Sequence, residues 1–317
     1  MNLKMEVKTM KSIINFNQVE NRIKGKYHDK KRYQWRVVGT LVGMVLLVTG
    51  CGAKEDITNE SGKPMVAVTI VPEATFVEAV CGDKVDIVTM VPPGSSPETY
   101  EPSPMEMEQF SDADIYFSIG VPIEDTYILP FAGEIKTVGL HEAAAKEYPD
   151  RLFENGDRDP HIWLSPKRVM VMIDKIAEEM SALDEKNRAF YEENAQNYIN
   201  ELQETDAAIK EALAEVKNPK FVVFHPAFGY LADDYGLEMF SLEEEGKEAT
   251  AAHLQEMIDL AKAENIKVIF YQEEIDSSQS EAYAEEIGGK TAGLEPLAAD
   301  YTQNLKKMAA VMAEAME

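Results

Sequence analysis

From Asp184 to Lys217 the sequence runs without a proline or a glycine. Those two residues are the strongest punctuation in a chain, so their absence leaves a helix free to propagate. Tyr191, Tyr198, Leu202, Ile209 and Leu213 keep an apolar stripe along the stretch, and Glu, Lys, Gln and Asn fill much of the rest. One helix of that length reaches about 50 Å at ~1.5 Å per residue, longer than a small domain is wide. The stripe is too brief and irregular for a coiled coil. The element is therefore expected to brace two lobes, and Asn218-Pro219 ends it, because proline cannot continue the ladder.

What flanks the brace on each side reads as α/β. Met65–Val71, Val85–Val91, Ile115–Ile119 and Ile135–Leu140 are strand-like, with a helical stretch to Cys81 between the first two. Ser165-Pro166 supplies an N-cap and a proline at the first helical position, and Val169, Met172, Ile173, Ile176 and Met180 recur behind it at helical spacing. After the brace, Lys220–Phe224 and Ile266–Tyr271 are strands. Thr250 caps a helix that buries Leu254, Met257, Ile258 and Ala261, and Tyr301–Met316 is a final amphipathic helix. Strands alternating with helices predict mostly parallel sheets. A length of 317 residues also suits two cores better than one. The fold class is α/β, two lobes joined by one long backbone helix: 65–183, the linking helix 184–217, and 218–317.

The first 64 residues are not expected to belong to either lobe. Lys30, Lys31, Arg32 and Arg36 precede an apolar run, Val37–Gly50, too short to span a bilayer comfortably but suited to a signal-peptide core. Val48-Thr49-Gly50-Cys51 resembles the bacterial lipobox, in which the cysteine is lipidated and becomes the first residue. Residues 1–50 thus read as a lipoprotein signal peptide and 51–64 as a polar tether. The other cysteine, Cys81, stands alone, so neither a disulfide framework nor a thiolate cluster is available. It is expected as a small buried thiol. A formal charge of −26 argues against nucleic acid, whose phosphates need a basic footprint.

The chemistry concentrates at stiff turns. Pro92–Pro104, Pro-Pro-Gly-Ser-Ser-Pro-Glu-Thr-Tyr-Glu-Pro-Ser-Pro, follows a strand and carries Glu98 near its centre. Prolines fix both themselves and the residues before them, so this loop is rigid. Of five histidines, His28 lies in the leader, and His141 and His253 read as solvated. His161 sits between Pro160 and a capped helix, and His225 sits at the carboxyl end of a strand. That edge of an open α/β sheet is where ligands gather. Taken singly each histidine is an ordinary structural residue, but with Glu98 they make three donors suited to a divalent transition ion. No Gly-x-Ser-x-Gly, His-Glu-x-x-His, Walker or Gly-x-Gly-x-x-Gly pattern occurs.

Four stretches in order, Val91–Pro102, Asp159–Pro166, His225–Leu231 and Glu245–Thr250, make the chain resemble the metal-binding lipoproteins of zinc and manganese ABC importers, the cluster A-I or TroA-like family, over about residues 66–317. The resemblance implies two α/β lobes bridged by a long helix, which agrees with the reading above. In the family the rigid loop normally presents a histidine where Glu98 stands, and His161 and His225 match the second and third ligands. The fourth is usually a carboxylate after a late strand, or solvent; Glu295 falls nearest to it. Two imidazoles and two carboxylates would be a harder set than three imidazoles, which brings manganese into range. Against that, His225 stands where manganese-selective relatives often carry an acid, so Zn2+ is the favoured cargo and Mn2+ the next.

The resemblance further implies a non-enzymatic, extracytoplasmic, monomeric protein, held to the bacterial membrane by lipid on Cys51 and delivering its ion to an ABC permease. Two alternatives stay open. A metal-dependent hydrolase would use Glu273, Glu274 or Asp276 as a base, and a surface lipoprotein with a structural metal would act in adhesion.

Overall fold

The computed structural model describes residues 62–243, 247, 249–274 and 278–316. The leader, Cys51, most of its tether, Glu245, Gly246, Glu248 and Asp276 lie outside the described residues. Two four-stranded sheets organise the chain. The first has β1 (Met65–Val68), β2 (Asp86–Thr89), β3 (Ile115–Ser118) and β4 (Lys136–Gly139) in the order β2-β1-β3-β4. The second has β5 (Lys220–Val223), β6 (Glu238–Ser241), β7 (Val268–Gln272) and β8 (Lys290–Leu294) in the matching order β6-β5-β7-β8. Every pairing is parallel. In both sheets the connection reverses direction beside the first strand, between β1 and β3 and between β5 and β7. That switch opens a crevice at the carboxyl ends of the strands.

The sequence explains the layers. Val66, Ala67 and Val68 are fully buried and β3 is buried along its whole length, as expected of strands covered on both faces. The covering helices are α1 (Val71–Cys81), α2 (Pro104–Ser111), α3 (Leu140–Ala145) and α4 (Pro166–Leu183). Val169, Met172, Ile173, Ile176 and Met180 of α4 are buried as their spacing predicts.

The brace is shorter than the proline-free run. It is α5 (Arg188–Leu213), about 39 Å long at ~1.5 Å per residue, and a 3₁₀ turn at Glu185–Asn187 precedes it. The chain breaks at Asp184 because its carboxylate turns back to accept from Asn187 Nδ2 (2.6 Å) and Tyr191 OH (2.8 Å). A side chain so engaged competes with helix propagation. The break lets α4 and α5 pack against each other, and α5 also packs on α1 and on the last helix, α9 (Tyr301–Ala315). The remaining helices are α6 (Gly229–Tyr235), α7 (Ala251–Ala263) and α8 (Ser278–Glu286).

Polar contacts also lock the lobes together. Trp163 Nε1 donates to Pro296 O at 2.9 Å, and Tyr301 OH donates to Trp163 O at 2.5 Å. Ser165 Oγ and Arg168 Nη1 both donate to Asp234 in α6. Among the described residues no helix is long and apolar enough to cross a membrane.

Candidate metal centre

Three chain segments converge at the crevice. The proline loop after β2 folds as successive turns, with Ser95 N donating to Pro92 O (3.2 Å) and Tyr100 N to Ser96 O (3.0 Å). Gly94 takes φ +81° there, a left-handed conformation that a side chain would strain. The far end of the loop is pinned by a capping box: Ser103 Oγ accepts from Glu106 N, and Glu106 Oε2 accepts from Ser103 N at 2.6 Å. Pro104 opens α2 at its first position. Glu98 is thus held on a loop tied at both ends.

His161 is positioned by Asp159. One carboxylate oxygen, Oδ1, accepts from the His161 backbone N (3.0 Å) and sits 2.8 Å from its ring Nδ1. His225 follows β5, and its Nδ1 sits 2.7 Å from Glu243 Oε2, just beyond β6. In each ring Nδ1 is engaged by a carboxylate, so Nε2 is the nitrogen turned toward the ion. Both Nε2 atoms face Glu98 Oε1. His225 Nε2 is 3.1 Å from it and His161 Nε2 is 3.6 Å from it, and the two nitrogens are 3.3 Å apart. The imidazoles are 4% exposed and the Glu98 side chain 21%. Zinc in a tetrahedron, at ~2.0–2.1 Å from each donor, puts its ligand atoms about 3.3 Å apart. The three donors already stand at that spacing, on one face of a would-be tetrahedron.

The electrostatics match. Burial opposes charge on His225, but hydrogen bonds to Glu243 and Glu98 outweigh it and hold the imidazole up to about 9. Burial pushes Glu98 up, yet the hydrogen bond to His225 and the charges of both histidines leave its carboxyl below the usual range. This is a site whose acid stays ionised and whose imidazole keeps a proton until something stronger replaces it.

Glu295 is not brought to this group. Its Oε2 accepts from Lys307 Nζ at 2.9 Å, and that lysine holds the carboxyl low. Glu273 lies beside it, raised by partial burial and by the Glu295 charge. His253 Nε2 is 2.9 Å from Ser241 O, and His141 is half-buried with its pKa lowered by burial and by Arg158. Cys81 is a buried free thiol, pushed up to about 12 by burial and by Asp184. Among the described residues, Glu98, His161 and His225 are the one group of three such donors close enough to share an ion.

The sequence reading missed Asp159 and Glu243 as the partners that aim the rings. Asp159 was within reach, two residues before His161 in Asp-Pro-His, a spacing that lets a carboxylate bond the following backbone N–H. Glu243 was not, because β6, which delivers it, is too short and too little buried to stand out.

Two parallel α/β lobes that close imidazole and carboxylate donors between them define a metal-binding solute-binding protein. The family model described as "Zinc-uptake complex component A periplasmic" matches residues 66–315. The chain is 28% identical over 283 residues to the high-affinity zinc uptake system protein ZnuA of Bacillus subtilis, covering 83% of this chain and 89% of the relative. It is 31% identical over 254 residues to the zinc-binding lipoprotein AdcA of Streptococcus pneumoniae, covering 74% of this chain but only 50% of the relative. A crystal structure of ZnuA superposes with a TM-score of 0.76 at 34% identity, over 80% of this chain and all of that one. The chain belongs to the zinc-uptake component A family, the metal-binding components of zinc and manganese ABC importers.

Proposed function

We propose that Glu98, His161 and His225 together take up one divalent transition ion, zinc in first place and manganese in second, and hand it to an ABC permease. The observation that carries this reading is the 3.1–3.6 Å triangle of donor atoms. Two imidazoles, each backed by a carboxylate, with one carboxylate donor suit zinc once the ion has displaced the His225 proton. The relatives' names point the same way. Glu98 makes the set harder than three imidazoles would be, which keeps manganese in reach. Glu295 would join only by leaving Lys307, so the ligand set we propose omits it. The protein binds and releases, with no catalytic step. It works as a monomer outside the cytoplasm, tethered by lipid on Cys51.

The test is metal analysis of the full chain, stripped and then exposed to equimolar zinc, manganese and iron(II), with Glu98→Ala alongside. One retained ion per chain, lost or weakened in the variant, is expected. A wild type that retains none of the three overturns the reading. Metabolic labelling with radioactive palmitate, abolished by Cys51→Ala, tests the anchor.

A further inference from the structure

Beyond the donors and their carboxylates, one cation ties the site to the opposite lobe. Arg151 lies at the base of the hairpin closed by the Leu152–Arg158 bridge. Its Nη1 donates to Asp159 Oδ2 at 3.0 Å, and its Nε is 3.4 Å from Asp233 Oδ2 in α6 of the second lobe. Asp159 is fully buried, and its other oxygen is the one that aims His161. The backbone fixes Arg151 as well: Tyr230 OH accepts from its N–H at 3.0 Å, and its carbonyl accepts from Asp159 N at 2.9 Å.

Gly229 shows how closely the guanidinium is seated. A Cβ built there would lie 2.5 Å from Arg151 Cζ. The glycine at the start of α6 leaves the space that the guanidinium fills, and a larger residue there would push that end of Arg151 aside. A buried carboxylate held by a guanidinium on one oxygen and by the His161 ring and backbone N–H on the other has a single resting orientation. Without the guanidinium, Oδ2 of Asp159 would be left unpaired in the interior, and the side chain would turn to find another donor.

We infer that Arg151 is a positioning residue for metal capture: it clamps Asp159 from the second lobe's side, so that the His161 ring is already aimed when the ion arrives. The inference rests on the three-donor reading above. Outer partners of ligating histidines typically contribute 10–100-fold in metal affinity, and Arg151 acts one bond further out, so its contribution is expected at the lower end.

The experiment is zinc affinity of the full chain by chelator competition, for wild type, Arg151→Met, Arg151→Lys and Asp159→Asn, and for Arg151→Met combined with Asp159→Asn. Arg151→Met is expected to weaken zinc about tenfold, and Arg151→Lys to recover part of the loss. In the Asp159→Asn background Arg151→Met should add nothing, because residues that act in series are not additive. Gly229→Ala is the second variant. It displaces the guanidinium without deleting it and should weaken zinc in the same direction, which keeps the test alive if Arg151→Met does not fold.

Wild-type affinity in both Arg151→Met and Gly229→Ala overturns the inference. So does a full, additive loss in the Asp159→Asn background, which would mean that Arg151 merely supports the fold. A wild type that binds no zinc overturns the three-donor reading itself, and is distinguishable because every variant then looks alike.

Discussion

β1 and β5 hold the same place in sheets of the same order, yet the two lobes are built to different depths. Both faces of the first sheet join one continuous core that also takes in α1, α4, the brace and α9. The second sheet is divided. Phe221 and Val223 of β5 face that shared core, while Val222 and the following Phe224 face a small separate cluster with Leu242, Met257, Ala261, Ile269, Ala284 and Ile287. Period-two alternation along one strand thus feeds two cores of unequal size. The outer layer is thin: of thirteen residues in α7, only Met257 and Ala261 are buried. Glu98 and His161 therefore stand on the deeper platform, and His225 rises from the shallower one. A layer with few buried contacts is where local opening is cheapest, so release of the ion should begin on the His225 side.

The largest contrast is in packing. Phe117→Ala empties a fully buried site in the shared core and is expected to destabilise by about 3–5 kcal/mol. Met257→Ala, in the separate cluster, should fall near the bottom of its usual range, about 2 kcal/mol, since a half-covered helix can settle into the gap. Denaturant unfolding of the metal-free variants measures both. Hydrogen exchange sharpens the comparison: amides of α7 should open without global unfolding, and those of β1 only with it. Equal losses in the two variants, or equal protection in the two elements, would make the lobes a single cooperative body.

Next in size is the effect of removing a donor. Loss of an outer partner weakens a site 10–100-fold, so His225→Ala and His161→Ala should each exceed 100-fold, about 2.8 kcal/mol at 1.4 kcal/mol per tenfold. Glu98→Ala should cost less zinc than either histidine and proportionally more manganese, because carboxylate oxygen suits the harder ion. Isothermal titration with each metal measures the set. A Glu98→Ala protein that loses zinc and manganese equally would remove the carboxylate as a source of selectivity.

Smaller, and opposite in sign for the two forms of the protein, is the effect of pH. His225 is held up to about 9 in the folded metal-free state, against about 6.5 for an unfolded histidine. Its contribution to stability is therefore complete below about pH 6.5 and disappears as pH rises through about 9. Zinc must displace that proton, so apparent zinc affinity should climb over the same interval. Denaturant midpoints at pH 6.5, 8 and 9.5 should fall in metal-free protein as pH rises, and the gap between zinc-loaded and metal-free midpoints should widen. Parallel curves would mean that His225 carries no proton for the metal to replace.

The same unevenness governs how much could be read in the sequence. Buried parallel strands write themselves as apolar runs, so β1, β3, β5 and β7 were legible to within a few residues. β6 and β8 were not, since Glu-Met-Phe-Ser and Lys-Thr-Ala-Gly-Leu are half-exposed edge segments with no alternation to find. That Glu98, His161 and His225 could come together was legible because each sits beside proline, where the backbone has few choices. Glu295-Pro296 shows the same signature but stands apart from the three donors, since proline stiffens a turn without saying which way it faces. Pairing with Lys307, twelve residues on, is a tertiary fact. Arg151 was invisible for the same reason.

The smallest expected effect compares two helix caps, one in each lobe. Ser103 makes a reciprocal box with Glu106, while Thr250 Oγ1 accepts from His253 N at 3.2 Å without a reciprocal glutamate three residues on. Ser103→Ala should destabilise by about 1 kcal/mol and Thr250→Ala by about half that. The more telling readout is zinc binding. Ser103 anchors the proline loop five residues after Glu98, so its loss should loosen the donor and speed zinc dissociation a few-fold. Thr250 caps α7, whose layer is already prone to open, and its loss should leave the dissociation rate close to wild type. Stopped-flow chelation of the loaded proteins separates the two. If Thr250→Ala releases zinc faster than Ser103→Ala, the gate lies in the thin outer layer of the second lobe, and the rigid loop merely holds its ligand still while the other side lets go.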